Sequence, residues 1–127
     1  LSKRSILIVI VFLMLLSACG VSAGEKPTDV RGEIWTVSSE SYRALEDFIS
    51  GESEFPSEEA QQQFQELYVK YLGSDDLTEK EVAILENLAD IFIMINTYKE
   101  SSVNNYQIEE IFLSIENKRE ELEKIFN

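Results

Sequence analysis

Apolar residues recur at three- and four-residue intervals in four separate stretches, which is the spacing of one face of an α-helix. In the first stretch, Tyr42, Leu45, Phe48 and Ile49 repeat at helical spacing. Ser38 stands where an N-cap belongs, Val37 and Tyr42 occupy the hydrophobic-staple positions, and Gly51 falls at the C′ end. A second helix is expected from Ser57, with Glu58 and Glu59 favoured in its first turn by the macrodipole. Its stripe is Ala60, Phe64, Leu67, Tyr68, Tyr71 and Leu72, closed by Gly73. Thr78-Glu79-Lys80-Glu81 is a capping box that opens a third helix, which ends near Lys99. There, Val82, Leu85, Ala89 and Phe92 line one face, and Ile84, Leu88, Ile91 and Ile95 line the next. An arc this wide means contact with more than one neighbour, so this helix should be the centre of the core. Asn104, with Gln107 at N3, opens a fourth helix whose stripe is Ile108, Ile111, Phe112, Ile115, Leu122, Ile125 and Phe126.

The links near residues 51–56, 73–77 and 100–103 are short, and short helix–helix links favour antiparallel neighbours. The expected fold is therefore all-α: a small antiparallel bundle of about four helices over residues 37–127. Residues 19–36 hold three of the five glycines and one of the two prolines, and they read as a flexible tether spanning roughly 20 Å. Ile34-Trp35-Thr36-Val37 forms the boundary between tether and bundle.

The start of the chain has a different pattern. Lys3 and Arg4 precede eleven unbroken apolar residues, Ile6 to Leu16, followed by Ser17-Ala18-Cys19-Gly20. Eleven apolar residues fall well short of the roughly 20 that a spanning helix needs. A basic flank, a short apolar core and small residues make a secretory signal peptide over residues 1–18. The tetrad Leu16-Ser17-Ala18-Cys19 resembles the lipobox of bacterial lipoproteins. The resemblance covers this segment alone. It implies a diacylglyceryl group on the Cys19 thiol, cleavage before Cys19, and residence on the extracytoplasmic face of the cell membrane. An ordinary secretory signal with an incidental cysteine, or an uncleaved anchor, is the plainer alternative.

Composition narrows the chemistry. Without residues 1–18 the chain keeps nine basic residues against all 24 acidic ones, a net charge of −15. Nucleic-acid binding depends on Lys and Arg neutralising phosphates, so no nucleic-acid partner is expected. There is no histidine, and the single cysteine is the one in the lipobox. Ser-His-Asp and Cys-His catalysis are thereby excluded, as are disulfides in the mature domain. No cofactor, metal site or catalytic residue is expected. Ser74-Asp75-Asp76 lacks the alternating ligands and central glycine of a calcium loop, and turn chemistry accounts for it. The carboxylates of Glu109 and Glu110, and of Glu120, Glu121 and Glu123, read as charged helix faces.

Two features stand out as candidate contacts. Between Glu40 and Glu66 eight acids face Arg43 alone. Glu46, Asp47, Glu52, Glu54, Glu58 and Glu59 could form a docking surface for a basic partner or bind calcium weakly, against the plain reading of a solvated face. Trp35, at the tether boundary, is the aromatic placed to remain exposed, and aromatics are enriched among interface hot spots. The functional expectation is a non-enzymatic, lipid-anchored module that binds an envelope protein. By class, it looks like the lipoproteins with which mobile elements of Gram-positive bacteria exclude incoming conjugative elements or phage. The alternatives are an accessory or chaperone subunit of an envelope transport or secretion complex, and a module for a cation or small ligand.

Overall fold

The computed structural model describes residues 24–53, 55–100 and 105–127. The signal segment, Cys19, Glu54 and the Asn104 cap lie outside the described residues. Among the described residues four helices follow one another: α1 (Gly32–Ile49), α2 (Glu58–Tyr71), α3 (Glu79–Glu100) and α4 (Asn105–Phe126). The expected all-α fold is observed. Among the described residues no helix is long and apolar enough to cross a membrane.

Helix α3 packs against each of the other three. Ile84, Leu85, Leu88, Ile91, Phe92 and Ile95 are all buried, so both of its apolar faces are used. Around it gather Val30, Ile34, Tyr42 and Leu45 from the α1 side, Phe64 and Leu67 from α2, and Ile115, Leu122 and Phe126 from α4. The most extensive helix–helix packing is between α3 and α4, and the sparsest of the well-formed contacts is between α2 and α3.

The ends of the helices meet in a definite way. Glu33 at the start of α1 bonds Lys70 and Tyr71 at the end of α2. Arg31, just before α1, reaches Glu81 in the first turn of α3. Trp35 of α1 lies on Phe126, the last residue of α4, with ring centroids 4.8 Å apart. We call this end of the bundle the base. At the far end, Phe48 stacks on Phe55, Phe55 meets Tyr98, and Tyr98 meets Phe112 edge-on.

Local chemistry behaves as expected at four of the caps. The Ser57 hydroxyl accepts from the Ala60 amide at 3.1 Å. Thr78 and Glu81 form the reciprocal capping box, with bonds of 3.1 and 3.0 Å. Gly51 and Gly73 take φ of 81° and 80°, the left-handed turn that glycine makes without a Cβ penalty.

The first helix departs from expectation. It begins at Gly32, and Ser38 is a fully buried mid-helix residue rather than its cap. Residues 30–36 therefore belong to the packed domain and not to a tether. The reason is tertiary. No side chain of the preceding segment caps α1; instead the Arg31 amide donates to the Glu81 carboxylate at 3.0 Å. Ile34, Ser38, Ser41, Tyr42 and Leu45 then form the buried stripe. Ser41 meets its hydroxyl's need by donating to the Val37 carbonyl at 3.0 Å. The Ser38 hydroxyl is buried with no partner, so small size rather than cap chemistry accounts for its place.

Candidate functional site

At the base, the segment before α1 is sewn to the bundle. The Gly24 amide bonds to the Phe126 carbonyl. The Thr78 hydroxyl donates to the Asp29 carbonyl at 2.8 Å, and Lys80 pairs with the Asp29 carboxylate at 3.4 Å. Glu81, at 1% exposure, accepts from the Thr78 amide on one oxygen and the Arg31 amide on the other. The Arg31 guanidinium lies 3.5 Å from Glu81, an ion-pair contact without hydrogen-bond geometry, and it bonds Asp76 at 2.8 Å. Beside it, the hydrogen bonds from Lys70 and then Tyr71 hold the Glu33 carboxyl below its ordinary value. The same bonds raise Lys70 and Tyr71 above theirs.

A second polar cluster ties α1 to α4. Arg119 forms a two-pronged bond to Glu46, at 2.7 and 3.0 Å, and also bonds Glu116 at 2.9 Å. Burial would raise the Glu46 carboxyl, but the hydrogen bonds from Arg119 and Tyr42 outweigh it, and the group lies below its ordinary value. Arg119 is held protonated more firmly than usual, chiefly by its bonds to Glu46. Burial, and then the bond to Glu46, push the Tyr42 hydroxyl up to about 12.

These facts redistribute the residues singled out from the sequence. Glu46 is engaged inside the fold by Arg119 and is no free docking group. Trp35, a candidate exposed contact residue, is partly covered by its contact with Phe126. Asp47 and Glu59 come together with Glu40, Arg43, Ser57 and Gln63 around an open depression of about 420 Å³ between α1 and α2. Glu52 and Glu58 are exposed nearby. Glu54 lies outside the described residues. Among the described residues, no group of three or more metal-binding side chains is close enough to hold an ion.

The feature that sequence reasoning missed is the groove between α2 and α3. Gln61, Gln65 and Tyr68 form one wall; Ala89, Ile93 and Asn96 form the other, over a floor of Phe64 and Phe92. It encloses about 300 Å³. Ile93 is 63% exposed on its rim. Toward the base the groove continues past Tyr68 into a second recess lined by Tyr71, Leu72, Leu77, Val82 and Leu85, with Glu86 at its edge. Leu72 was expected on the buried stripe of the second helix. It falls just past the end of α2, at the C-cap, and is 66% exposed. The sequence did carry a signal for this groove, because Ile93 belongs to neither apolar face of α3. Gln61 and Gln65 leave the α2 wall neutral in a chain that places charge on most exposed turns.

No protein-family model matches the chain, and comparison with curated proteins and with solved structures gives no match.

Proposed function

We propose that this protein is a lipid-anchored surface module that binds another envelope protein without catalysing a reaction. The anchor rests on the lipobox-like Leu16-Ser17-Ala18-Cys19. The observation that carries the binding role is the α2–α3 groove, open and neutral, with an exposed isoleucine on its rim. Contiguous exposed apolar surface rimmed by polar groups marks interaction sites. A cleft between two helices suits a helix laid in by its apolar face. The lipid supplies the other half of the mechanism. Confinement beside membrane machinery raises the effective concentration of the module, so a modest intrinsic affinity is enough.

The anchor is tested by metabolic labelling with a fatty-acid analogue: the native protein takes up label and Cys19→Ala does not. Equal labelling of the two would end the anchor reading. The binding surface is tested with a photocrosslinking residue placed at Ile93 or at Glu52 in cells. A discrete adduct from position 93, absent from position 52 and abolished by Gln65→Glu, is expected; the same adducts from both positions would show that the groove is not the contact. The exclusion role is tested by expressing the protein in a recipient and measuring conjugation and phage entry. Unchanged transfer for every element sharing its genome would sink it.

A further inference from the structure

The sewn base fixes how far the domain can stand from its anchor. The amide of Gly24, the first described residue, is bonded to Phe126, and the chain from there to Arg31 is held through Asp29, Thr78 and Glu81. Only five residue steps separate Gly24 from Cys19. Fully extended, they cover about 18 Å at most. Helix α1 alone is about 27 Å long, so the leash is shorter than the domain it holds. The tethered end is therefore held close to the bilayer.

The base pairs Arg31 with Asp76, Lys70 with Glu33 and Lys80 with Asp29, and it also carries Glu25, Asp75 and Glu79, which form no salt bridge among the described residues. Both ends of the bundle are acidic, so the contact is set by the short leash and by apolar surface rather than by charge. The base also exposes large apolar side chains, Leu72 at 66% and Val69 at 62%, in the last turn of α2 and just beyond it.

Resting on the lipid anchor at Cys19, we infer that the base of the bundle is a membrane-contact surface, with Leu72 and Val69 touching a phospholipid headgroup layer and the α1–α2 turn facing away. The α2–α3 groove then rises from the bilayer with its lower mouth at Leu72.

Lipidation consumes the only thiol, so an introduced cysteine is a unique labelling site in the mature protein. The test places an environment-sensitive NBD dye at Leu72→Cys or Glu52→Cys in the lipidated protein, bound to phosphatidylglycerol/phosphatidylcholine vesicles. The expected result is a blue shift and rise in emission at position 72, quenched by spin-labelled lipid, with no change at position 52. A long Gly/Ser insert between Ala23 and Gly24 should abolish the position-72 signal while the protein still floats with the vesicles. Flotation without a position-72 signal in the native-length protein overturns the contact surface and leaves the anchor standing. A position-72 signal that survives the insert overturns the leash argument. Failure to float overturns the anchor reading and this inference with it.

Discussion

Replacing Glu81 by alanine should destabilise the domain by about 3 kcal/mol. The side chain is 1% exposed, and its two oxygens accept from two backbone amides, Thr78 and Arg31, each at 3.0 Å. A hydrogen bond to a charged group contributes about 1.5–3 kcal/mol. Two at the lower end of that range, because water can reach a helix start once the carboxylate is gone, sum to about 3 kcal/mol. For a domain of about 100 residues that lowers Tm by roughly 12–20 °C. Glu81→Gln keeps one acceptor oxygen and turns an amide N–H₂ toward the other donor, so it should lose about half as much. Arg31→Ala separates capping from ion pairing. It leaves the Arg31 backbone amide in place and removes the exposed pair with Asp76 and the 3.5 Å contact with Glu81, which lacks hydrogen-bond geometry, at a cost of about 1 kcal/mol. Urea denaturation of the mature protein reads all three, and amide exchange at Arg31 and Thr78 reports the local loss. If Arg31→Ala costs as much as Glu81→Ala, the ion pair carries the effect and the capping argument fails.

The remaining predictions are briefer. The depressed Glu46 carboxyl gives stability that is fully present above the ordinary value of 4.5 and is lost as pH falls through the lower folded value; Glu46→Gln should flatten acid denaturation in that window, and an unchanged profile would refute it. Tyr42, raised to about 12, stabilises below the ordinary value of 10.0 and stops doing so as pH rises through about 12; difference absorbance should show a tyrosine titrating at about 12, missing in Tyr42→Phe. Leu88→Ala, at a fully buried site of the central helix, should cost about 2–5 kcal/mol in urea denaturation. Ile93→Glu, on the exposed rim of the groove, should stay within about 0.5 kcal/mol of the parent while eliminating any adduct at the groove, which distinguishes a binding residue from a structural one.

Helices α2, α3 and α4 were legible in the sequence because their signals are local. Ser57 and the Thr78–Glu81 box cap their own helices, and the double apolar face of α3 announces a central element. The start of α1 was not legible, because its cap comes from Glu81, 50 positions away. Ser38 carries the right chemistry for a cap, and Ser38 and Ser41 interrupt the apolar stripe that a pattern reading follows. The acidic stretch showed the same limit. Composition places Glu46 with its acidic neighbours, and only the fold reveals that Arg119 claims it. The α2–α3 groove depends on how closely two helices approach, which periodicity does not encode.

The bonds that hold the base lie one behind another along the chain: Gly24 on Phe126, Asp29 on Thr78, Arg31 on Glu81. A pull on the N-terminal end meets them in succession, so each bears the load in turn, as in a zipper opened from its tab. Residues 24–29 would peel away before Val30, a core residue, and the Arg31–Glu81 bond at the start of α1 take any strain. Six freed residues add roughly 21 Å of reach at full extension. With Cys19 lipidated as proposed, this segment would act as a mechanical fuse that also lengthens the tether: a partner tugging on the proposed groove would lift the domain off the bilayer while the core stays folded.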